Sequence, residues 1–292
     1  MMRNCNEKLL AAMAAFLVCT AAAALEWPLP DGSVTQNFGL NDEGRPVLGI
    51  VFAGEGDIAA SGNGMILFSR GAKDSASRLP SPFGAWTALD HGDGLVSIYS
   101  RYRDEALSPR VPYFETGERI ASAGISGWSS REGFYFVLYD RKERRWVNAS
   151  MVIPPFPDTV PPQISGIQLR NSNGRIFEGS QLRSLSQGSY TIIINTFDTL
   201  IDPRGEQLAP HHIVCSVNGE EAGSLSFETI NAKSGILMVN QNGPTPARKA
   251  YAPCPSFEAA EVYLSRGQVM LEILVHDIAG NSRSSISRIT IE

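Results

Sequence analysis

Histidine is scarce in this 292-residue chain: four are present, at His91, His211, His212 and His276. The first half therefore holds a single imidazole, which excludes a multi-histidine metal centre there. His211-His212 follows Pro210 and reads as the start of a strand, not as a metal site. Cysteine is equally sparse at four residues, two of them within the first 19 positions. After the N-terminal segment no sustained helical period occurs, so a coiled coil is excluded. No later apolar run approaches the roughly 20 residues that span a bilayer. Positive charge is not clustered either: the net charge is −5, and the Arg141–Arg145 group is a short solvated turn. That leaves no basic surface for nucleic acid or anionic lipid. Internal repeats, phosphate-cradling glycine loops, dinucleotide fingerprints and usable Ser or Cys nucleophile contexts are all missing. No cofactor is expected.

What is present begins with an export signal. Arg3 and Lys8 supply a positive start, Leu9 to Val18 a short apolar stretch, and Ala21 to Ala24 a small-residue cleavage site. Residues 1–24 are thus expected to be removed on export to the periplasm or cell envelope, leaving no transmembrane segment in the mature chain. Cys19 leaves lipidation open, although Val18 before it is not small. Loss of Arg3, Glu7 and Lys8 takes the net charge from −5 to −6. Cys215 and Cys254 then remain, and in an exported domain such a pair suggests a disulfide worth about 2–4 kcal/mol. Two buried free thiols are the alternative.

Organisation is read from proline. The stretch 154–162, PPFPDTVPP, removes backbone donors and favours an extended linker. It divides an N-terminal domain, 25–153, from a C-terminal one, 163–292. Both read as β. Upstream, glycine-rich turns separate runs such as Gly64–Phe68, Trp86–Leu89, Val96–Tyr99 and Phe134–Tyr139. Downstream, Tyr190–Phe197 and Val269–Val275 alternate, placing Val269, Leu271, Ile273 and Val275 on one face. Asn218-Gly219 predicts a tight hairpin. The fold class is all-β: an antiparallel β-sheet domain followed by a β-sandwich that resembles bacterial immunoglobulin-like modules.

The N-terminal half carries an ordered set of short matches. Trp27-Pro28-Leu29, Gly32 and Phe38-Gly39 lead to Gly49-Ile50, Gly56, Ile58, Ala60 and Gly64. His91-Gly92-Asp93-Gly94 leads to Ser97 and Tyr99. Gly117, Ile120, Ala123-Gly124, Gly127 and Gly133 precede Phe134-Tyr135-Phe136. Over roughly residues 27–150 the series resembles the LytM/lysostaphin-like peptidoglycan endopeptidases. The resemblance implies a β-sheet domain that holds zinc through an H-x-x-x-D motif and an H-x-H motif, with a further histidine after a tyrosine. Imidazole and carboxylate bind Zn²⁺ at about 2.0–2.2 Å, and the ion lowers the pKa of its water toward 7.

At the corresponding positions this chain has Val47, Val51, Arg101, Phe134 and Phe136. Valine and phenylalanine have no lone pair to donate, and arginine stays protonated. A register slip does not restore the set, because His91 is the one histidine of this half; it reads as a turn residue bonded to backbone. The expectation is a degenerate member without catalytic or metal residues, similar to EnvC-type activators of cell-wall amidases. Its former peptidase groove, walled by Tyr99, Arg101, Trp128 and Tyr135, would bind peptidoglycan or a cell-wall amidase. An active zinc-dependent endopeptidase and a structural or adhesive envelope protein are the alternatives. Whether the groove is accessible or closed by the polar loop Ser69–Ser81 stays open at this point.

Overall fold

A computed structural model describes residues 25–71, 81–103, 112–179, 183–200 and 205–292. The expected export signal with Cys19, and most of the Ser69–Ser81 loop, lie outside the described residues. Within them the chain is almost entirely antiparallel β, with one four-residue helix, Ala247–Ala250, and one 3-10 turn, Ala149–Met151. Among the described residues no helix is long and apolar enough to cross a membrane.

The N-terminal half is organised by the Gly133–Asp140 strand, whose first six residues are buried. Aromatic and β-branched side chains suit such a strand because both of its faces are covered. It pairs with Ile50–Ala53 and Arg145–Val147, and along its other edge with Leu95–Tyr102. Ala85–Asp90 and Gly64–Arg70 continue the sheet outward. The alternation of side chains across a strand then divides the apolar residues. Ile50, Phe52, Tyr99, Phe134, Phe136 and Leu138 enter the main core on one face. Val47, Tyr135 and Val137 form a smaller cluster on the other, with Val51 and Ile98 packed against it. Gly49 lets these strands approach: a Cβ there would lie 2.2 Å from the Phe136 carbonyl oxygen.

The C-terminal half is a β-sandwich. One sheet contains Gln163–Asn171, Gly188–Phe197 and Ser256–Leu264; the facing one contains His212–Val217, Gly267–His276 and Ser282–Ile291. Val269, Leu271, Ile273 and Val275 all point into the shared core, as alternation predicts. Asn218 and Gly219 make the hairpin between His212–Val217 and Glu220–Lys233. Both have positive φ, 53° and 86°, as a type I′ turn requires.

The two halves are not separate bodies. Residues 154–162 carry no regular structure, and the segment folds back on the first half: the Trp27 ring N–H donates to the Pro154 carbonyl, 2.7 Å, and the indole stacks on Phe156. Arg145–Val147 pairs with Glu220–Lys233, so one sheet runs through both halves. Phe38, 1% exposed, is inserted into the sandwich core beside Phe227, Tyr251 and Phe257. Next to it Gly39 has φ +83°, and a Cβ would sit 2.4 Å from the Phe227 ring. Two asparagines, Asn37 half-buried and Asn41 buried, complete the junction. Asn37 exchanges two hydrogen bonds with the Ala209 backbone, and Asn41 donates to the carbonyls of Ala252 and Ser256, both at 2.8 Å.

The expected disulfide is corrected. Cys215 and Cys254 are both free thiols. Cys215 occupies an inward position on its strand and is fully buried among the sandwich residues, where it serves as a small apolar side chain. Burial pushes its thiol up to about 12. Cys254 lies exposed in the turn before Pro255. The strand directs one sulfur into the core while the turn leaves the other outside.

Candidate binding groove

Five positions on the smaller-cluster face converge. Val47 and Val51 come from the segment leading into and through the Ile50–Ala53 strand; Tyr135 and Val137 come from the central strand. Arg101 comes from Leu95–Tyr102, where it adopts φ +67°, a conformation uncommon for a side-chain-bearing residue. That backbone turn is held by its N–H, which donates to the Phe83 carbonyl at 2.8 Å. The guanidinium Cζ then sits 4.8 Å from the centre of the Tyr135 ring, a cation–π geometry. Its Nε is buried without a hydrogen-bond partner among the described residues. Burial, opposed by the nearby Arg101 charge, pushes the Tyr135 phenol up to about 12. It is therefore neutral at physiological pH.

A cavity of about 410 Å³ opens beside this cluster, lined in part by Thr35, Val51, Arg101, Trp128, Arg131 and Glu206. Trp128 is 76% exposed on its rim. Arg131 and Glu206 form an ion pair of 2.9 Å that links the N-terminal half to the C-terminal one at the cavity edge. Both partners are more than half exposed, so the pair contributes little stability.

The structure separates the sequence-selected residues into two groups. Val47, Val51, Arg101 and Tyr135 are brought together, with Trp128 at the rim. Phe134 and Phe136 pack into the main core at 1% and 0% exposure, Phe134 stacked on Phe52 at 5.0 Å, although Phe134 also borders the cavity. The i, i+2 pair that shares the face of Val47 and Val51 is Tyr135–Val137, one residue later than the sequence placed it. A one-residue slip on a strand moves every side chain to the opposite face. Val137 was missed; its face follows from the pairing of Tyr135 with Val51, which only the folded sheet shows.

Tyr99 is a second correction. It is fully buried and forms no groove wall. Its hydroxyl accepts from the Ser61 N–H at 2.7 Å and is hydrogen-bonded to Ser97 Oγ at 3.0 Å. His91 continues this chain, with Nε2 2.7 Å from Ser97 Oγ and Nδ1 2.8 Å from the Asn63 carbonyl oxygen. The chain satisfies a phenol that would otherwise be orphaned in the core.

Burial lowers the His91 pKa below its ordinary 6.5, against the opposing pull of the Asn63 hydrogen bond and the Asp90 charge. The unfolded chain therefore takes up a proton first as pH falls. The stability that neutral His91 contributes is complete above pH 6.5 and is lost as pH drops through its folded value. Thermal melts across this window are expected to show a falling Tm, with a shallower fall in His91→Gln. Parallel profiles for the two proteins would remove His91 as the cause.

Comparisons with known proteins add fold likeness at low similarity. One family model matches residues 161–292. No curated protein matches the chain. Among solved structures it is similar to a zinc containing peptidase from Vibrio cholerae, at 21% identity over 43% of this chain and 39% of that one, TM-score 0.36. It is also similar to the SpoIIQ–SpoIIIAH pore forming complex, at 17% identity over 46% and 92%, TM-score 0.37. The solution structure of lysostaphin is similar at 16% identity over 75% and 86%, TM-score 0.36. The chain thus spans well under half of the Vibrio peptidase.

Proposed function

We propose that this chain is a non-catalytic cell-envelope protein, exported to the periplasm or cell envelope, that binds peptidoglycan or activates a cell-wall amidase through the groove at Arg101. One observation supports the reading: Val47, Tyr135 and Val137 pack together and the Arg101 guanidinium covers Tyr135, on the strands that the family resemblance makes the counterpart of a zinc site. Two valines, a neutral phenol and a guanidinium do not fit a zinc ion, which takes imidazole, thiolate or carboxylate donors. Packing the face with apolar side chains also avoids leaving unpaired ligands in a closed site. The groove still offers an exposed tryptophan and an arginine with an unused donor, the side-chain types that dominate binding surfaces.

Capture of the protein on purified sacculi, and on immobilised cell-wall amidases, tests the reading. Arg101→Ala and Trp128→Ala are each expected to weaken capture by about tenfold or more, since such anchors typically contribute over 1 kcal/mol. Their Tm should stay close to wild type. Unchanged capture by both variants removes the groove from the interaction. Release of cleaved peptides from sacculi in the presence of zinc would favour a working endopeptidase instead.

A further inference from the structure

A second polar cluster lies away from the groove, where the 154–162 segment meets one end of the sandwich. Asp158 comes from that segment, Asp198 follows the Gly188–Phe197 strand, and Asp277 follows the Gly267–His276 strand. One carboxylate oxygen from each lies within 4.8 Å of the other two. Asp198 and Asp277 are 4% and 3% exposed. Among the described residues no Lys, Arg or His makes an ion pair with any of the three.

Acidic residues alone do not make a cation site, and two of these carboxylates have ordinary structural partners. Asp277 accepts the backbone and side-chain N–H groups of Asn281, both at 2.8 Å, and so shapes the turn. Asp158 accepts the Val160 N–H at 2.9 Å. Asp198 is different. Its Oδ1 is buried with no hydrogen-bond donor among the described residues, although its carboxylate sits against two others. A buried carboxylate with one oxygen left without a donor, beside two other carboxylates, is costly unless something compensates it.

We propose that Asp158, Asp198 and Asp277 bind one calcium ion, which pins the 154–162 segment to the sandwich. The donor set is all oxygen and strongly anionic, the chemistry of a hard divalent cation and not of zinc or copper. Oxygens within 4.8 Å of each other can share one ion whose bonds are about 2.3–2.6 Å long. Magnesium, with bonds of about 2.0–2.1 Å and a strict octahedron, fits a span of that width less well. The ion would supply the positive charge that the protein does not, and because Asp158 belongs to the connecting segment, it would stiffen the junction between the halves.

The test uses the full chain, stripped with EDTA and titrated near neutral pH with calcium chloride or magnesium chloride. Calorimetric titration is expected to show one saturable calcium site, and excess calcium to raise Tm on the order of 5 °C. Magnesium should bind at least tenfold more weakly. Asp198→Asn should lose calcium binding by tenfold or more, and in EDTA should melt at or above the wild-type temperature because three carboxyl groups are no longer crowded together. Asp158→Asn retains the acceptor for Val160 and leaves the Asp277 turn untouched; it should lose binding as well, and it carries the test if Asp198→Asn does not fold. No heat and no Tm change in wild type up to about 10 mM calcium, above the ~0.1–1 mM range of extracellular calcium modules, would overturn the proposal. So would an undiminished calcium response in both variants.

Discussion

Phe38→Ala is expected to lower Tm by about 10 °C and to split one calorimetric unfolding transition into two. The ring belongs to the N-terminal half in sequence but is buried in the sandwich core with Phe227, Tyr251 and Phe257. Truncating a buried phenylalanine costs about 3–5 kcal/mol, which for a chain of this size corresponds to a Tm change of that order. The loss falls on the junction, whose other contacts include the short Arg145–Val147 pairing, the Arg131–Glu206 ion pair and the hydrogen bonds of Asn37 and Asn41. With the plug removed, the two cores should melt separately. A single transition at the wild-type temperature would show that the halves do not depend on that shared core.

Phe136→Ala should cost a similar 3–5 kcal/mol while leaving binding by the folded fraction intact. Phe136 is fully buried and lies 5.4 Å from Tyr99, ring centre to ring centre, on the core face of its strand. The adjacent Tyr135 faces the other way, under Arg101. Chemical denaturation together with capture on sacculi distinguishes the faces. Should Phe136→Ala keep its stability and lose capture instead, the strand register proposed for the groove would be wrong.

These outcomes probe what was and was not legible along the chain. The strand alternation at Val269–Val275 and the Asn218-Gly219 turn were readable because the period of two and the positive φ are local properties. The lack of regular structure at 154–162 was readable from its prolines, but its packing against Trp27 was not, because that contact joins residues far apart in the chain. Face assignment at Phe134–Val137 was not, because four consecutive apolar residues carry no alternation to mark which side is which. Covering both sides of a central strand erases that signal. The free Cys215 was likewise hidden: composition shows a possible pair, and only the strand's orientation shows which way the sulfur points.

What this sequence determined alone is an all-β chain, and that Val47, Val51 and Arg101, whose identities need no coordinates, offer no donor for zinc. Tertiary structure decided that Tyr135 and Val137, not their neighbours, share a face with those residues, and that Phe38 ties the two halves into one body. It also decided that three aspartates far apart in the chain meet at one point. The reason is the same throughout. Local chemistry is written in adjacent residues, whereas pairing partners and buried faces are chosen by strands that meet only when the chain closes on itself.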